Sequence, residues 1–335
     1  MNLVIDAMGG DNAPKEIVKG AVEACKKETG FNIILVGKEK LIKKELLNYK
    51  DYPKNRIKVK HSSEVVTMND SPAKALRRKK DSSLNVGTNI IKDKEADAFI
   101  SAGNTGAVMA AGLFNIGRLP GIKRPSISTI FPAENGNTLL MDAGANTDSK
   151  PENLLQFAVM GEIYAKKVLK ISNPRIGLLS IGEEKKKGND LVKNTYKLLE
   201  EDKRVSNFIG NVEGRDIFKD KCDIIVCDGF VGNVVLKTTE GAASFMFDLL
   251  KEAFTKNIRA KLGAGFLKPY LKEMKDKLDY TQYGGAPLLG INGVVIISHG
   301  SSNATAIVNA IKVAINAVEN NVVQLIEEEI NREGE

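Results

Sequence analysis

The sequence predicts an α/β fold built on a mainly parallel sheet. Short β-branched apolar runs recur along the chain, segments of helical period separate many of them, and glycine-rich polar junctions follow several runs. The first run is Leu3 to Ile5; a helical segment, Glu16 to Lys27, leads to the second, Ile33 to Val36. Runs that are apolar on consecutive residues suit strands covered on both faces. Ala98 to Ser101 and Leu139 to Met141 are the third and fourth, and the helical segment Asn153 to Lys167 leads to Ile176 to Ser180. Asp190 to Glu200 is again helical, Ile224 to Val226 is the sixth run, and Val294 to Ile297 feeds the helical segment Ala304 to Glu319. Asn12-Ala13-Pro14, Ser71-Pro72 and Ser149-Lys150-Pro151 mark helix starts, where proline fits the first turn without losing a hydrogen bond. One segment breaks the alternation: Gly241 to Tyr283 reads as a protruding helical hairpin whose turn is Gly263-Ala264-Gly265. With 335 residues, 42% of them hydrophobic, the chain can bury a large core, and residues 1–335 read as one domain carrying the hairpin 241–283.

Composition narrows the function. No stretch approaches the ~20 apolar residues of a membrane span, and Met1 to Met8 lacks the basic cluster of a secretory signal. Cys25, Cys222 and Cys227 are too few for a disulfide framework and lack zinc spacing, so a reducing cytoplasm is the expected setting and no metal is expected. A net charge of +7 favours anionic partners, while 6% aromatic residues and no Trp argue against nucleic acid. Neither a P-loop nor a dinucleotide GxGxxG pattern follows a strand, so no cofactor is expected.

Chemistry is expected outside the carboxyl ends of the strands. Four junctions there are rich in glycine and small polar residues: Asp6-Ala7-Met8-Gly9-Gly10-Asp11, Ser101-Ala102-Gly103-Asn104-Thr105-Gly106-Ala107, Asp142-Ala143-Gly144-Ala145-Asn146 and Ser298-His299-Gly300-Ser301-Ser302-Asn303. The second and fourth open helices, Thr105 being the expected cap of the first of these. A glycine-rich helix start presents backbone amides and a positive dipole end to an anion. Together the four point to a pocket for phosphate or phosphopantetheine, although each alone also reads as an ordinary turn. His299 lies at one of these helix starts, with an imidazole that can give or take a proton, whereas His61 reads as structural. Lys187, beside Gly188-Asn189, is placed to neutralise phosphate, and Arg77-Arg78-Lys79-Lys80 forms a second basic group. No GxSxG elbow or triad context surrounds a serine or cysteine, so covalent catalysis is not signalled.

These motifs, with Asp228-Gly229-Phe230-Val231-Gly232-Asn233 and Tyr283-Gly284-Gly285-Ala286-Pro287-Leu288-Leu289-Gly290, run nearly end to end, and the sequence resembles the phosphate acyltransferases of the PlsX family. The resemblance implies a three-layer α/β/α fold similar to isocitrate dehydrogenase and phosphotransacetylase, a homodimer, and peripheral attachment to the cytoplasmic membrane. It implies transfer of a fatty acyl group from acyl carrier protein to inorganic phosphate, the acyl phosphate passing to a membrane glycerol-3-phosphate acyltransferase for phospholipid synthesis. It also implies catalytic roles for Lys187 and Asn233. In the mechanism expected from the residues, Lys187 and helix-start amides near Thr105 and Ser301 hold phosphate, Asn233 donates to the oxyanion, and His299 orients phosphate or protonates the leaving sulfur. Asp6, Gly9, Gly10, Asp11, Gly103, Asn104, Thr105, Gly106, Asp142, Gly144, Asn146, Gly300, Ser301 and Ser302 are the expected substrate-binding residues. Arg77, Arg78, Lys79 and Lys80 either steer an acidic carrier protein or line the pocket. Leu262, Phe266 and Leu267, inside a collar of lysines and arginine, form a hairpin tip that suits an anionic lipid surface or packs on a second subunit or the core. The rival readings are a phosphotransacetylase taking short acyl groups from coenzyme A, a metal-dependent hydroxy-acid dehydrogenase, and a non-catalytic membrane scaffold.

Overall fold

Each apolar run becomes a strand of one sheet. The computed structural model describes residues 1–278 and 284–332. Its strands are β1 (Asn2–Asp6), β2 (Asn32–Gly37), β3 (Ile57–His61), β4 (Ala98–Ser101), β5 (Ser126–Ala133), β6 (Gly136–Met141), β7 (Ile176–Leu179), β8 (Phe208–Val212), β9 (Ile224–Val226), β10 (Ala286–Leu289) and β11 (Val294–Ile297). The helices are α1 (Lys15–Lys27), α2 (Glu39–Leu46), α3 (Pro72–Arg78), α4 (Ser83–Lys92), α5 (Thr105–Ala111), α6 (Pro151–Lys167), α7 (Asp190–Glu201), α8 (Gly229–Thr255), α9 (Ile258–Leu278), α10 (Ala304–Glu319) and α11 (Val322–Asn331).

The sheet order is β3-β2-β1-β4-β11-β10-β5-β6-β9-β7-β8. Pairing is parallel at both ends of the sheet, and β10 and β5 form an antiparallel seam at its middle. Side chains of alternate residues reach opposite faces. Leu3 and Ile5 therefore join a core with Ile17 of α1, Phe157 of α6 and Ile307 of α10, while Val4 joins a second core with Leu84 of α4 and Val108 of α5. Helices cover both faces, giving three layers.

The helical pair 229–278 differs from the sequence expectation. Gly263, Ala264 and Gly265 continue α9, and the chain turns at Lys256-Asn257, where the Asn257 side chain accepts from the Ala260 amide at 2.9 Å. α8 packs on α9, with Phe247, Leu250 and Phe254 facing Ala264 and Leu271 across a groove. Leu262, Phe266 and Leu267 consequently lie along α9 beyond its first turn, all exposed, instead of at the turn between the helices. Residues 279–283 of the expected hairpin, Tyr283 among them, lie outside the described residues. Among the described residues no helix is long and apolar enough to cross a membrane.

Candidate active site

The carboxyl ends of β1, β4, β11, β6 and β9 bring the glycine-rich junctions together, and hydrogen bonds lock them. Asp6 is buried at the end of β1; its carboxylate accepts from Ser101 Oγ at 2.8 Å and from the Met8 amide at 3.1 Å. Burial pushes its pKa up, against the pull of Ser83, Ser101 and the Met8 and Gly9 amides. Gly10 has φ +95°, and a Cβ there would lie 2.8 Å from the Gly300 carbonyl, so only glycine lets the first and fourth junctions meet. The Asp11 amide then donates to that same carbonyl at 2.8 Å.

Asp142 organises the second half of the site. It is fully buried; Oδ1 accepts from the amides of Ile127, Gly144 and Ala145, and Oδ2 accepts from the amide and side chain of Asn146. Desolvation raises its pKa while these donors oppose the shift. The helix start of α8 docks on this loop. A Cβ at Gly232 would fall 1.8 Å from the Asp142 carbonyl oxygen, so the close approach requires glycine. That approach sets Asn233 against Gly144, whose Cβ position is 3.4 Å from the Asn233 side chain.

A cavity of about 160 Å³ opens between these junctions. Ile127 and Ile130 of β5, Leu236 of α8 and Ile297 of β11 give it apolar walls, and Thr105, Asn233, His299 and Ser302 bring polar groups to it. The ring of His299 is fixed: the Ser301 amide donates to Nδ1 at 3.2 Å, and Ser301 Oγ lies 2.8 Å from the same nitrogen. A backbone N–H can only donate, so Nδ1 accepts there and a neutral ring carries its proton on Nε2. Ser302 is buried and donates to the His299 carbonyl at 2.6 Å.

The structure thus sorts the expected site residues. Thr105, Asn233, His299 and Ser302 line the cavity. Asp6, Gly9, Gly10, Asp11, Gly103, Gly106, Asp142, Gly144, Asn146, Gly300 and Ser301 do not; they build the interlocked walls behind it. Thr105 does not cap α5. Asn104 does, accepting from the Ala107 amide at 3.1 Å while its Nδ2 donates to the Met68 carbonyl at 2.9 Å. Lys187 is exposed beyond the end of β7, outside the cavity lining. Lys79 is spent internally: its ammonium contacts Asp70 at 2.5 Å and the Val65 carbonyl at 2.8 Å, and holds Asp70 down to about 2. Arg77, Arg78 and Lys80 are exposed. Six lining residues in no named motif or run, Ile127, Thr129, Ile130, Leu236, Lys237 and Glu240, were missed. The signal for three of them was helical spacing, since 233, 236, 237 and 240 share one face of α8.

Burial pushes all three thiols up, Cys222 to about 12, which removes them as nucleophiles near neutral pH. Among the described residues, the carboxylates close enough to share a cation are Glu183, Glu213 and Asp216. Lys221 already pairs with two of them, 2.6 Å from Glu183 and 3.0 Å from Asp216, and Arg215 pairs with Glu213.

A family model described as "Fatty acid synthesis protein" matches residues 1–325. The phosphate acyltransferase of Halothermothrix orenii is 63% identical over 335 residues, covering the whole of both chains. The chain belongs to the phosphate acyltransferase family. That membership makes it an enzyme of the acyltransferase class with phosphate as acyl acceptor. The phosphate acyltransferase of Alkaliphilus oremlandii is 53% identical, covering 100% of this chain and 99% of its own. In fold, the chain is similar to a phosphotransacetylase from Streptococcus pyogenes, with a TM-score of 0.64 over 96% of this chain and 94% of the other at 17% identity.

Proposed function

We propose that the acyl donor is a fatty acyl thioester of acyl carrier protein and that the product is a long-chain acyl phosphate for phospholipid synthesis. The observation that carries this reading is the cavity itself: apolar walls from Ile127, Ile130, Leu236 and Ile297 meet a polar end at Asn233, Thr105 and His299. A phosphate oxygen attacks the thioester carbonyl carbon; the C–O bond forms, the C–S bond breaks, and the sulfur leaves with its electron pair and takes up a proton. Phosphate is already nucleophilic and a thiolate leaves readily, so positioning and charge stabilisation carry the reaction. Asn233 donates to the oxyanion of the tetrahedral intermediate, and His299, whose Nε2 carries the ring proton, protonates the sulfur or orients phosphate. Lys187, exposed beyond the end of β7, draws anions toward the site.

The exposed Arg77, Arg78 and Lys80 steer the acidic carrier protein. Leu262, Phe266 and Leu267 of α9, among Arg259, Lys261 and Lys268, rest on an anionic cytoplasmic membrane surface, where a membrane glycerol-3-phosphate acyltransferase takes the product. The protein acts as a homodimer of one-domain subunits. Competition between donors tests this reading: kcat/KM for palmitoyl-acyl carrier protein should exceed that for acetyl-coenzyme A. The reverse order would replace it with a phosphotransacetylase.

A further inference from the structure

Inorganic phosphate is an anion throughout the neutral range, so a largely apolar cavity must offer compensating charge to admit it. Several helix-start amides around the cavity, expected to be free, are already bonded within the protein. At α5 the Ala107 amide donates to Asn104, and at α8 the Val231 amide donates to the Asp228 carboxylate at 3.0 Å. At α10 the Ala306 amide donates to Asn303 and the Ala304 amide to Glu16 Oε2, each at 2.9 Å, so a carboxylate already occupies that dipole end. The Ser301 amide is held by His299 Nδ1. With these amides committed, a side-chain cation is the stronger source of compensation. Lys187 is outside the lining, and among the described lining residues the ammonium group is that of Lys237.

Lys237 stands one helical turn beyond Asn233 on α8. Its Nζ is 2.8 Å from Glu240 Oε2, and Glu240 lines the same cavity. A pair of this spacing adds little to a helix, so helix stability does not account for two opposite charges on the cavity wall, where the Lys237 side chain stays 53% exposed at the open side and Glu240 is 27% exposed. We propose that Lys237 is the cation that binds the acceptor phosphate, and that Glu240 is its resident counter-ion, displaced when a phosphoryl group arrives. Four residues at the helical rise separate Asn233 from Lys237 by about 6 Å along α8. One tetrahedral intermediate bridges that span, its oxyanion toward Asn233 and its phosphoryl oxygens toward Lys237. The pair also keeps the empty cavity electrically neutral, and Glu240 makes phosphate compete for the ammonium.

This inference rests on phosphate being the acceptor. Its test is steady-state kinetics with inorganic phosphate varied at saturating acyl-acyl carrier protein, for the wild type, Lys237→Met, Lys237→Arg and Glu240→Gln, with melting temperatures recorded for each. Loss of one charge-assisted contact should raise the phosphate KM of Lys237→Met roughly 10- to 100-fold while the KM for the carrier substrate stays near wild type. Lys237→Arg should recover most of the affinity, and Glu240→Gln should lower the phosphate KM below wild type. A Lys237→Met phosphate KM within about twofold of wild type would overturn the assignment. So would an equal rise in both KM values with a lowered melting temperature, the mark of a structural residue. If the wild type itself released thiol without needing phosphate, the acceptor would be wrong and the inference would fall with it.

Discussion

Asp142→Asn isolates the contribution of the loop that seats α8 and the proposed oxyanion donor Asn233. In the wild type, Oδ1 accepts three amides at 3.0 to 3.2 Å and Oδ2 accepts two Asn146 donors at 2.8 Å. An Asn has one acceptor oxygen, so its better rotamer keeps the three amides and turns its own NH₂ toward the two donors of Asn146. Two charge-assisted bonds are lost at about 1.5 to 3 kcal/mol each, and the easier burial of a neutral amide offsets part of the loss, leaving about 3 kcal/mol. Unfolding entropy of about 2.1 cal/mol/K per residue gives about 0.7 kcal/mol/K for 335 residues, so Tm should fall by about 4 °C in a calorimetric scan. Because this loop seats the start of α8 and with it Asn233, kcat should fall as well. A Tm within about 1 °C of wild type, with kcat unchanged, would refute the reasoning that Asp142 holds the loop through these five acceptances.

Other perturbations test separate parts of the account. Gly232→Ala places a Cβ 1.8 Å from the Asp142 carbonyl and should cost more than about 2 kcal/mol by urea unfolding, whereas Gly241→Ala in the same helix meets open space and should stabilise by up to about 1 kcal/mol. Asn233→Ala should lower kcat by ~100-fold with the fold intact; an unchanged kcat removes its oxyanion role. Lys79 holds the Asp70 carboxyl down to about 2, so the stability this pair adds is present above the ordinary carboxylate pKa of about 3.9 and is lost as pH falls toward about 2. The stability gap between wild type and Lys79→Met should therefore close across that window, and a gap independent of pH would exclude the pair as its source. Charge reversal at Arg77, Arg78 and Lys80 together should raise the KM for the carrier substrate at low salt; an unchanged KM ends the docking role.

Strands buried on both faces wrote themselves into the sequence as consecutive apolar residues, which is why β1, β2, β4, β6, β7, β9 and β11 were legible. The edge strand β3 alternates Ile57 and Val59 with Lys58 and Lys60, a weak pattern over five residues that also protects a sheet edge. β5 and β10 were missed although each has a local antiparallel partner, β6 and β11; their pairing with each other joins residues more than 150 apart. The turn between α8 and α9 was misplaced because three small residues, two of them glycine, outweighed a better signal. Exposed glycines cost a helix about 1 kcal/mol each and do not break it, while Asn257 is a helix cap in the expected position for one. At the site, residue type showed where polar groups gather but not whom they bond. Asp6 and Asp142 looked like ligands and proved to be acceptors for their own loops, and Asn104 took the capping role read for Thr105. The charged pair Lys237 and Glu240 sits in no glycine-rich motif, and only the docking of α8 on the 142–146 loop turns it toward the cavity.

The central claim is acyl transfer from a carrier thioester to phosphate, and the most direct measurement follows purified protein with palmitoyl-acyl carrier protein, with and without inorganic phosphate, scoring free carrier thiol and acyl phosphate together. The account predicts thiol release that requires phosphate and matches acyl phosphate one for one. Release without phosphate, or no release by folded protein that instead acetylates phosphate from acetyl-coenzyme A, would contradict it.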